Sequence, residues 1–377
     1  MRQILFAFLF LTVSAFAQEK NEQIIIKGTI KGDTKGFNKV YCYGEGIPKG
    51  LVQEIINGSF EFIIQFDKPV FPRFFTDYDR KVKKGYQPFG VLIDKPGLVI
   101  ITVENIDNGF VNSVVTGLPS AALYQSFNND KDKIDEQALE IVKKQYGRSS
   151  LSNEDTAFEK INKSKDSIIN IMFPPFLIKF IKEHPDQYVS IFILNENKSS
   201  LNFKETTESY EGFGQEIKNS TLGRSISDYI TGAKKSQTGS YVENFTLLTD
   251  QDKPFDFAHL KGKYIVLDFW ASWCGPCRKS FPHMKEIYEK YKEKDLEFLH
   301  ISIDKNKDAW LGAVAAENIP WPQLLNNNEV ALKLFAVTSV PTTYLIDKDG
   351  KILMKEIGFD SNGNSAIENE LKLLFGF

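Results

Sequence analysis

The chain has 377 residues, 42% of them hydrophobic, and its 46 basic and 49 acidic side chains give a formal net charge of −3. A single hydrophobic core usually stops growing near about 250 to 300 residues, so this length predicts more than one domain. The balanced charge argues against a nucleic-acid partner. Three cysteines are too few for a fold held together by disulfides, so we expect cores of ordinary size.

Residues 1–17 have the pattern of a cleavable export signal. Arg2 precedes the apolar stretch Ile4–Phe16, which ends in the small-x-small pattern Ala15-Phe16-Ala17. The stretch is too short for a permanent membrane anchor. We therefore predict cleavage before Gln18 and a soluble, exported mature protein.

Residues 18–117 have the pattern of an all-β domain. Short runs such as Val40–Tyr43 and the alternating Phe60–Phe66 are bounded by Gly, Pro, Asn or Asp. Asn57-Gly58 is a hairpin signal that needs positive φ. A sandwich or an open barrel is predicted. Cys42, in the strand around Val40–Tyr43, is predicted to be a buried, unreactive thiol; a reactive or inter-chain cysteine is the alternative.

Residues 118–238 are charged and helical in pattern. Helices are predicted over Ala121–Tyr146, Asn153–Phe173 and Pro175–His184. Their apolar spacing indicates one buried stripe rather than a free coiled coil. Ser236–Ser240 has the composition of a linker.

Residues 239–377 alternate between strand and helix patterns, which predicts an α/β domain. The apolar run Tyr264–Trp270 is typical of a strand buried on both faces of a parallel sheet, and a helix is predicted from Pro276 to about Glu293. The further predicted elements are strands Leu296–Ile303, Thr342–Ile346 and Ile352–Ile357, and helices Lys307–Glu317, Asn328–Ala336 and Ala366–Phe375.

The segment Trp273-Cys274-Gly275-Pro276-Cys277 stands where that strand gives way to the helix. If Cys274 caps the helix, the unpaired N–H groups and the positive dipole end favour its thiolate, whereas Cys277 faces the protein. Cys274 should then attack first and Cys277 should resolve the mixed disulfide. The redox group is this disulfide itself, without a bound cofactor. A static disulfide and half of a metal site are the alternatives.

Asp268 interrupts the apolar strand before the cysteines. Burial would raise its pKa, which suits acceptance of the Cys277 proton near neutral pH. The alternative is a strand-end residue turned to solvent. The histidines are scattered and no second Cys-x-x-Cys occurs, so no metal site is expected.

The residues Asp268–Arg278, together with Pro282 and Val340-Pro341-Thr342, resemble the thioredoxin superfamily. The predicted helical insertion Lys307–Glu317 is similar to that of the TlpA/ResA branch of periplasmic thiol-disulfide oxidoreductases. The resemblance covers roughly Tyr241–Phe377, and the preceding parts resemble accessory regions fused to such domains.

The resemblance implies a thioredoxin-like fold in the periplasm and further site residues. It implies a cis bond before Pro341, a Val340 backbone that pairs with substrate, and Trp273 at the exposed contact surface. The implied partners are client proteins with disulfides and, because the compartment is oxidising, a membrane electron donor. The Gly275-Pro276 dipeptide is similar to that of thioredoxin, so the resemblance implies a reductant of client disulfides rather than an oxidant. Cytochrome-maturation members often carry glutamate where this chain has Ser280, so cytochrome c does not follow as the substrate.

Two other functions stay open. A thiol peroxidase would turn over peroxide efficiently without a client disulfide. In a client-binding module, residues 18–240 would carry the biological function by binding the client, and the cysteine pair would only hold a bound partner. Deleting everything before about Tyr241 would then change client selection.

Overall fold

The computed structural model describes residues 22–44, 46–83, 89–147, 158–326, 329–359 and 365–376. These residues group into two compact units, one up to Ile169 and one from Asn170 onward. The predicted export signal lies outside them, and none of the helices they form is long and apolar enough to cross a bilayer. The domain borders at 117/118 and 238/239 stay predictions, because a compact unit need not coincide with a domain.

The first unit contains a β-sandwich. Its strands are β1 Gln23–Ile30, β2 Lys39–Tyr43, β3 Leu51–Glu54, β4 Ser59–Gln65, β5 Arg73–Thr76, β6 Phe89–Gly90, β7 Gly97–Val103 and β8 Val114–Gly117. One sheet has the order β4-β1-β7-β8 and the other β3-β2-β5-β6. Their inner faces share one core, in which the rings of Phe62 and Phe74 lie 6.0 Å apart. The all-β prediction is therefore confirmed, in its sandwich form.

Cys42 lies in that shared core. Its side chain is 2% exposed, and burial raises the pKa of its thiol to about 12. The buried thiol predicted from the sequence is confirmed.

The middle of the chain is helical. Within the sandwich lie only a short helix, α1 Asp77–Lys81, and a 3₁₀ turn at Ile106–Asn108 among the described residues. The helices of the middle part are α2 Pro119–Tyr146, α3 Phe158–Glu183, α4 Tyr188–Asn197, α5 Phe203–Glu211, α6 Gln215–Asn219 and α7 Thr221–Lys235, with a 3₁₀ turn at Lys198–Ser200. The predicted break before Pro175 is wrong, because α3 runs through Pro174 and Pro175. Each proline removes a backbone donor, but the buried Leu177 and Ile181 keep the following turns packed.

The C-terminal part has the α/β order that the sequence predicts. Its elements are β9 Thr246–Thr249, β10 Pro254–Asp256, a 3₁₀ turn Phe257–Leu260, β11 Tyr264–Trp270, α8 Gly275–Tyr291, β12 Leu296–Ser302, α9 Lys307–Glu317, β13 Gln323–Leu325, a π-helix Val330–Leu334, β14 Thr342–Ile346, β15 Ile352–Ile357 and α10 Ala366–Phe375. The described strands form one sheet of order β10-β9-β13-β12-β11-β14-β15. β11, β12 and β13 run parallel, and β14 and β15 form an antiparallel hairpin. This is the thioredoxin-like domain that the resemblance implied.

Strand β11 is buried on both faces, as its continuous apolar run predicts. Leu267 and Phe269 pack into the core on one face of the sheet. Val266 and Trp270 pack with α8 on the other face, and the period of two places Asp268 on that face as well. The turn with the cysteines therefore follows the end of a central, rigid strand.

The segment predicted as a linker, Ser236–Ser240, makes hydrogen bonds to the C-terminal part of the chain. The Ser236 hydroxyl donates to the Phe335 carbonyl at 3.2 Å, and the Gly239 N–H donates to the Ile352 carbonyl at 2.8 Å. Just before it, Gly232 of α7 lies so close to the π-helix that a Cβ there would come 2.0 Å from the Leu332 carbonyl oxygen. These contacts fix the segment in place, and its role as a linker between domains stays a prediction.

Candidate active site

Cys274 caps the N-terminus of α8. Its Sγ accepts the backbone N–H of Cys277 at 3.2 Å, and the two cysteines form a disulfide. Cys274 is 4% exposed and Cys277 0%. Pro276 lies in the first turn of α8, where a backbone N–H would have no partner within the helix, so the proline costs no hydrogen bond. The unpaired N–H groups and the positive dipole end therefore act on the sulfur of Cys274, which favours its thiolate after reduction.

The residues that the resemblance assigns to substrate contact surround Cys274. The Val340–Pro341 bond is cis, as implied, and the Val340 carbonyl oxygen lies 3.6 Å from Cys274 Sγ. The adjacent Trp273 is 68% exposed, whereas Trp270 is fully buried. The structure therefore brings the Val340 backbone against Cys274 and leaves the adjacent Trp273 exposed; the contact of Trp273, Val340 and Pro341 with substrate stays a prediction.

Asp268 is 1% exposed, so the solvent-facing alternative is wrong. Thr343 Oγ1 donates to its Oδ1 at 2.6 Å, and its Oδ2 has no hydrogen-bond partner among the described residues. Burial raises the pKa of Asp268 to about 7, against the opposing effect of the Thr343 hydrogen bond. A carboxyl pKa raised this far suits proton exchange near neutral pH.

A row of polar side chains crosses the sheet on the face that meets α8. Asp268 stands opposite His300 on β12 and Thr343 on β14. Gln323 on β13 extends this polar row beyond His300, and Glu356 on β15 extends it beyond Thr343. Sequence reasoning missed the row. Its signal was a polar residue inside each strand pattern, but only the register shows that these residues align.

A cavity lies beside the polar row, under α8. Asp268, Thr343 and Glu356 line it together with Pro341, Ser280 and His283. Ser280, at the position where a glutamate was expected in cytochrome-maturation relatives, donates its hydroxyl to the Cys277 carbonyl at 2.7 Å. This serine supplies no acid, so Asp268 is the buried carboxyl group of the cavity.

Asp304 holds the turn before the cysteines, and sequence reasoning also missed it. Its Oδ2 accepts the Ser272 N–H and its Oδ1 the Ser272 hydroxyl, both at 2.7 Å. Ser302 Oγ donates to Oδ2 at 2.6 Å, and the carboxylate is buried. The signal was an acid directly after β12, since parallel strands β11 and β12 end at the same edge of the sheet.

The search for a metal site covers the described residues only. Among them, no three His, Cys, Asp or Glu side chains form a group that could hold a metal ion. The expected absence of a metal therefore stays a prediction, and the redox group present is the Cys274–Cys277 disulfide.

A thioredoxin-like sheet with a cysteine pair capping a helix beside a cis-proline defines a thiol-disulfide oxidoreductase of the thioredoxin superfamily. The profile of the AhpC/TSA family matches residues 238–355. Thiol-disulfide oxidoreductase ResA of Bacillus cereus is 35% identical over 130 residues, which are 34% of this chain and 75% of ResA. ResA of Bacillus subtilis is 32% identical over 133 residues, 35% of this chain and 74% of ResA. The chain belongs to this TlpA/ResA-like family.

One solved structure is also similar to part of the chain. A thiol-disulfide oxidoreductase from Bacteroides fragilis is 27% identical, with 36% of this chain and 99% of that chain covered and a TM-score of 0.33.

Proposed function

We propose that this protein is an exported, periplasmic reductase of client-protein disulfides. One observation carries the proposal: the Cys274–Cys277 disulfide caps α8 beside the Val340 carbonyl, in a domain whose Asp268 has a pKa of about 7. Cys274 is the attacking residue, Cys277 resolves, and Asp268 accepts the Cys277 proton. The location follows from the sequence pattern of residues 1–17.

In the first step the Cys274 thiolate attacks one sulfur of the client disulfide. A Cys274–client disulfide forms, and the second client sulfur leaves as a thiolate that takes a proton from water. The N-terminus of α8 lowers the cost of the attacking thiolate. In this proposal the exposed Trp273 and the backbone at Val340 contact the client around the scissile bond; the exposure of Trp273 and the closeness of the Val340 carbonyl to Cys274 support it.

In the second step Cys277 gives its proton to the Asp268 carboxylate, and its thiolate attacks Cys274 Sγ. The Cys274–Cys277 disulfide forms, and the first client sulfur leaves as a thiolate. Two electrons have passed to the client, which now has two thiols. A dithiol electron donor in the membrane must reduce the disulfide again, because the periplasm is oxidising.

The order of attack is tested by trapping. In the Cys277→Ser variant, client proteins should accumulate as mixed disulfides on Cys274, detected by non-reducing electrophoresis of cell extracts. The matched Cys274→Ser variant should trap none, since Cys277 is the more buried sulfur. If Cys274→Ser traps clients and Cys277→Ser does not, the assigned order is wrong.

The direction of electron flow is tested by the reduction potential of the cysteine pair. A reductase should titrate near the thioredoxin value of about −270 mV in glutathione or dithiothreitol buffers. A value near the DsbA potential of about −120 mV would mean that the protein oxidises its clients instead.

A further inference from the structure

Four buried polar side-chain atoms of the polar row have no hydrogen-bond partner within the described part of the chain. They are Oε1 of Gln323, Oδ2 of Asp268 and both ring nitrogens, Nδ1 and Nε2, of His300. Asp268 and His300 are the two ionisable residues among them. Both side chains are essentially inaccessible to solvent. An unpaired buried polar group costs free energy and is rare in native proteins, so a pair of such groups facing each other needs a functional explanation.

The backbone register places these atoms opposite each other. Asp268 on β11 and His300 on β12 are partners in the parallel ladder, and His300 Nε2 lies 3.9 Å from Asp268 Oδ2. This distance is too long for a hydrogen bond, but a small side-chain movement would close it. The two groups are thus adjacent and unbonded while the Cys274–Cys277 disulfide is present.

The surroundings keep His300 in this place. Its ring packs against Trp270, Phe281 and Trp321, with ring centroids 6.3, 5.2 and 5.0 Å away. None of these neighbours can titrate. Burial lowers the pKa of His300 to about 3, so the imidazole is neutral at pH 7 and has one N–H donor.

The other ionisable groups of the cavity are engaged elsewhere. His283 Nε2 lies 3.0 Å from Glu368 Oε2. Glu356 accepts the backbone N–H groups of Ala366 and Ile367 at the start of α10. His300 is therefore the ionisable group placed opposite the free oxygen of Asp268.

We propose that His300 is a positioning residue for Asp268, which donates Nε2–H to Oδ2 when the carboxyl group ionises and so holds the carboxylate ready for the Cys277 proton. The inference rests on the proposed function, because Asp268 is the proton acceptor there. A hydrogen bond to a carboxylate is about twice as strong as one between neutral groups. His300 therefore stabilises the ionised form of Asp268 more than the protonated form, and it favours proton acceptance near neutral pH.

The test is a titration of the Asp268 carboxyl carbon by ¹³C NMR in the full-length oxidised protein, with Asp268→Asn to assign the signal. His300→Phe keeps an aromatic ring but removes the donor, so the midpoint should rise by about one pH unit. His300→Gln keeps an N–H donor and should restore at least half of that shift. His259→Phe, on an exposed histidine of the same domain, should leave the midpoint unchanged.

The same variants should change the kinetics below the midpoint. Release of client from the Cys274 mixed disulfide should be about tenfold slower in His300→Phe at pH 6.5, since one pH unit is a factor of about ten in carboxylate population. An unchanged Asp268 midpoint in His300→Phe would overturn the proposal. Equal shifts in the Phe and Gln variants would also overturn it, because they would indicate packing alone.

A measurement on the unaltered protein covers the case in which His300→Phe does not fold. The ¹⁵N signals of His300 should show the Nε2–H tautomer and should move at the Asp268 midpoint. A proton on Nδ1 alone, or signals insensitive to that midpoint, would overturn the proposal. If this coupling is present but the protein reduces no client disulfide, the proposed function fails and the Asp268–His300 pairing stands.

Discussion

The two cores that contain cysteines differ in what lies around the sulfur. Cys42 in the sandwich and Cys277 in the first turn of α8 are both almost completely buried. The Cys42 thiol has apolar neighbours, and burial alone raises its pKa. Cys274 and Cys277 instead lie at a helix N-terminus, in a domain whose sheet carries the polar row. Burial therefore does not separate a structural cysteine from one of a redox pair; the unpaired backbone donors of a helix N-terminus do.

The largest expected difference is between the cysteines themselves. Cys274→Ser should lower the rate of insulin-disulfide reduction by at least about 1000-fold, because the attacking sulfur is lost. Cys42→Ala should keep the rate and destabilise the protein by about 1 kcal/mol. A comparable loss of activity in Cys42→Ala, with the fold intact by circular dichroism, would show that Cys42 is not a purely structural cysteine.

Asp268→Asn should slow the resolving step. An amide cannot accept the Cys277 proton, and loss of a general base typically costs about 100-fold or more. Stopped-flow measurement of client release from the Cys274 mixed disulfide gives this rate. Thr343→Val removes only the hydroxyl that bonds Oδ1 and should have a much smaller effect. Equal losses in both variants would count against Asp268 as the base.

The same Asp268→Asn variant should be more stable than the parent at alkaline pH. The folded-state pKa of Asp268 is raised from 3.8 to about 7, so its contribution to stability is present below pH 4 and is lost as the pH rises through 7. The gain should be on the order of 4 kcal/mol at pH 8 and should shrink toward pH 4. Urea unfolding at both pH values measures it; a gain that does not depend on pH would contradict the assigned pKa.

Asp304→Asn should loosen the turn before Cys274. It replaces a buried carboxylate that accepts hydrogen bonds from Ser272 and Ser302, and hydrogen bonds to charged groups contribute about 1.5 to 3 kcal/mol each. We expect kcat/KM for a client to fall about tenfold, because the cysteine turn is less well positioned. The exposed Asp308→Asn is the matched control, and similar values for both would show that Asp304 does not position the turn.

The smallest effect is expected at the exposed surface. Trp273→Ala should raise KM for a protein client about threefold and leave kcat nearly unchanged. A surface contact stabilises the bound ground state and the transition state equally, so its loss weakens binding without slowing the chemical step. Tyr241→Ala removes an equally exposed aromatic ring elsewhere in the domain and should change neither constant. A fall in kcat with constant KM would place Trp273 in the chemistry instead.

Local patterns predicted the elements that position the site. The bounds of β11, α9, β14 and β15 agree with the sequence prediction, because apolar periodicity and turn residues are properties of the segment itself. Asp268 was found because a carboxyl group interrupts an otherwise apolar strand pattern. His300 and Asp304 were not, because their roles depend on strand register and on where two strands end. The continuous α3 was missed for a similar reason, since packing of later residues overrides the local effect of two prolines.

The close approach of Gly232 to the π-helix shows that the redox domain packs against residues that precede its family match. Sequence similarity to the AhpC/TSA family starts at residue 238. A fragment that starts there would lack α7, would leave one side of the π-helix bare, and would lose the Ser236 hydrogen bond to Phe335. A fragment that starts before Thr221 keeps α7, the covered side of the π-helix and the Ser236–Phe335 hydrogen bond. The family match and the residues that pack against the redox domain thus have different first residues.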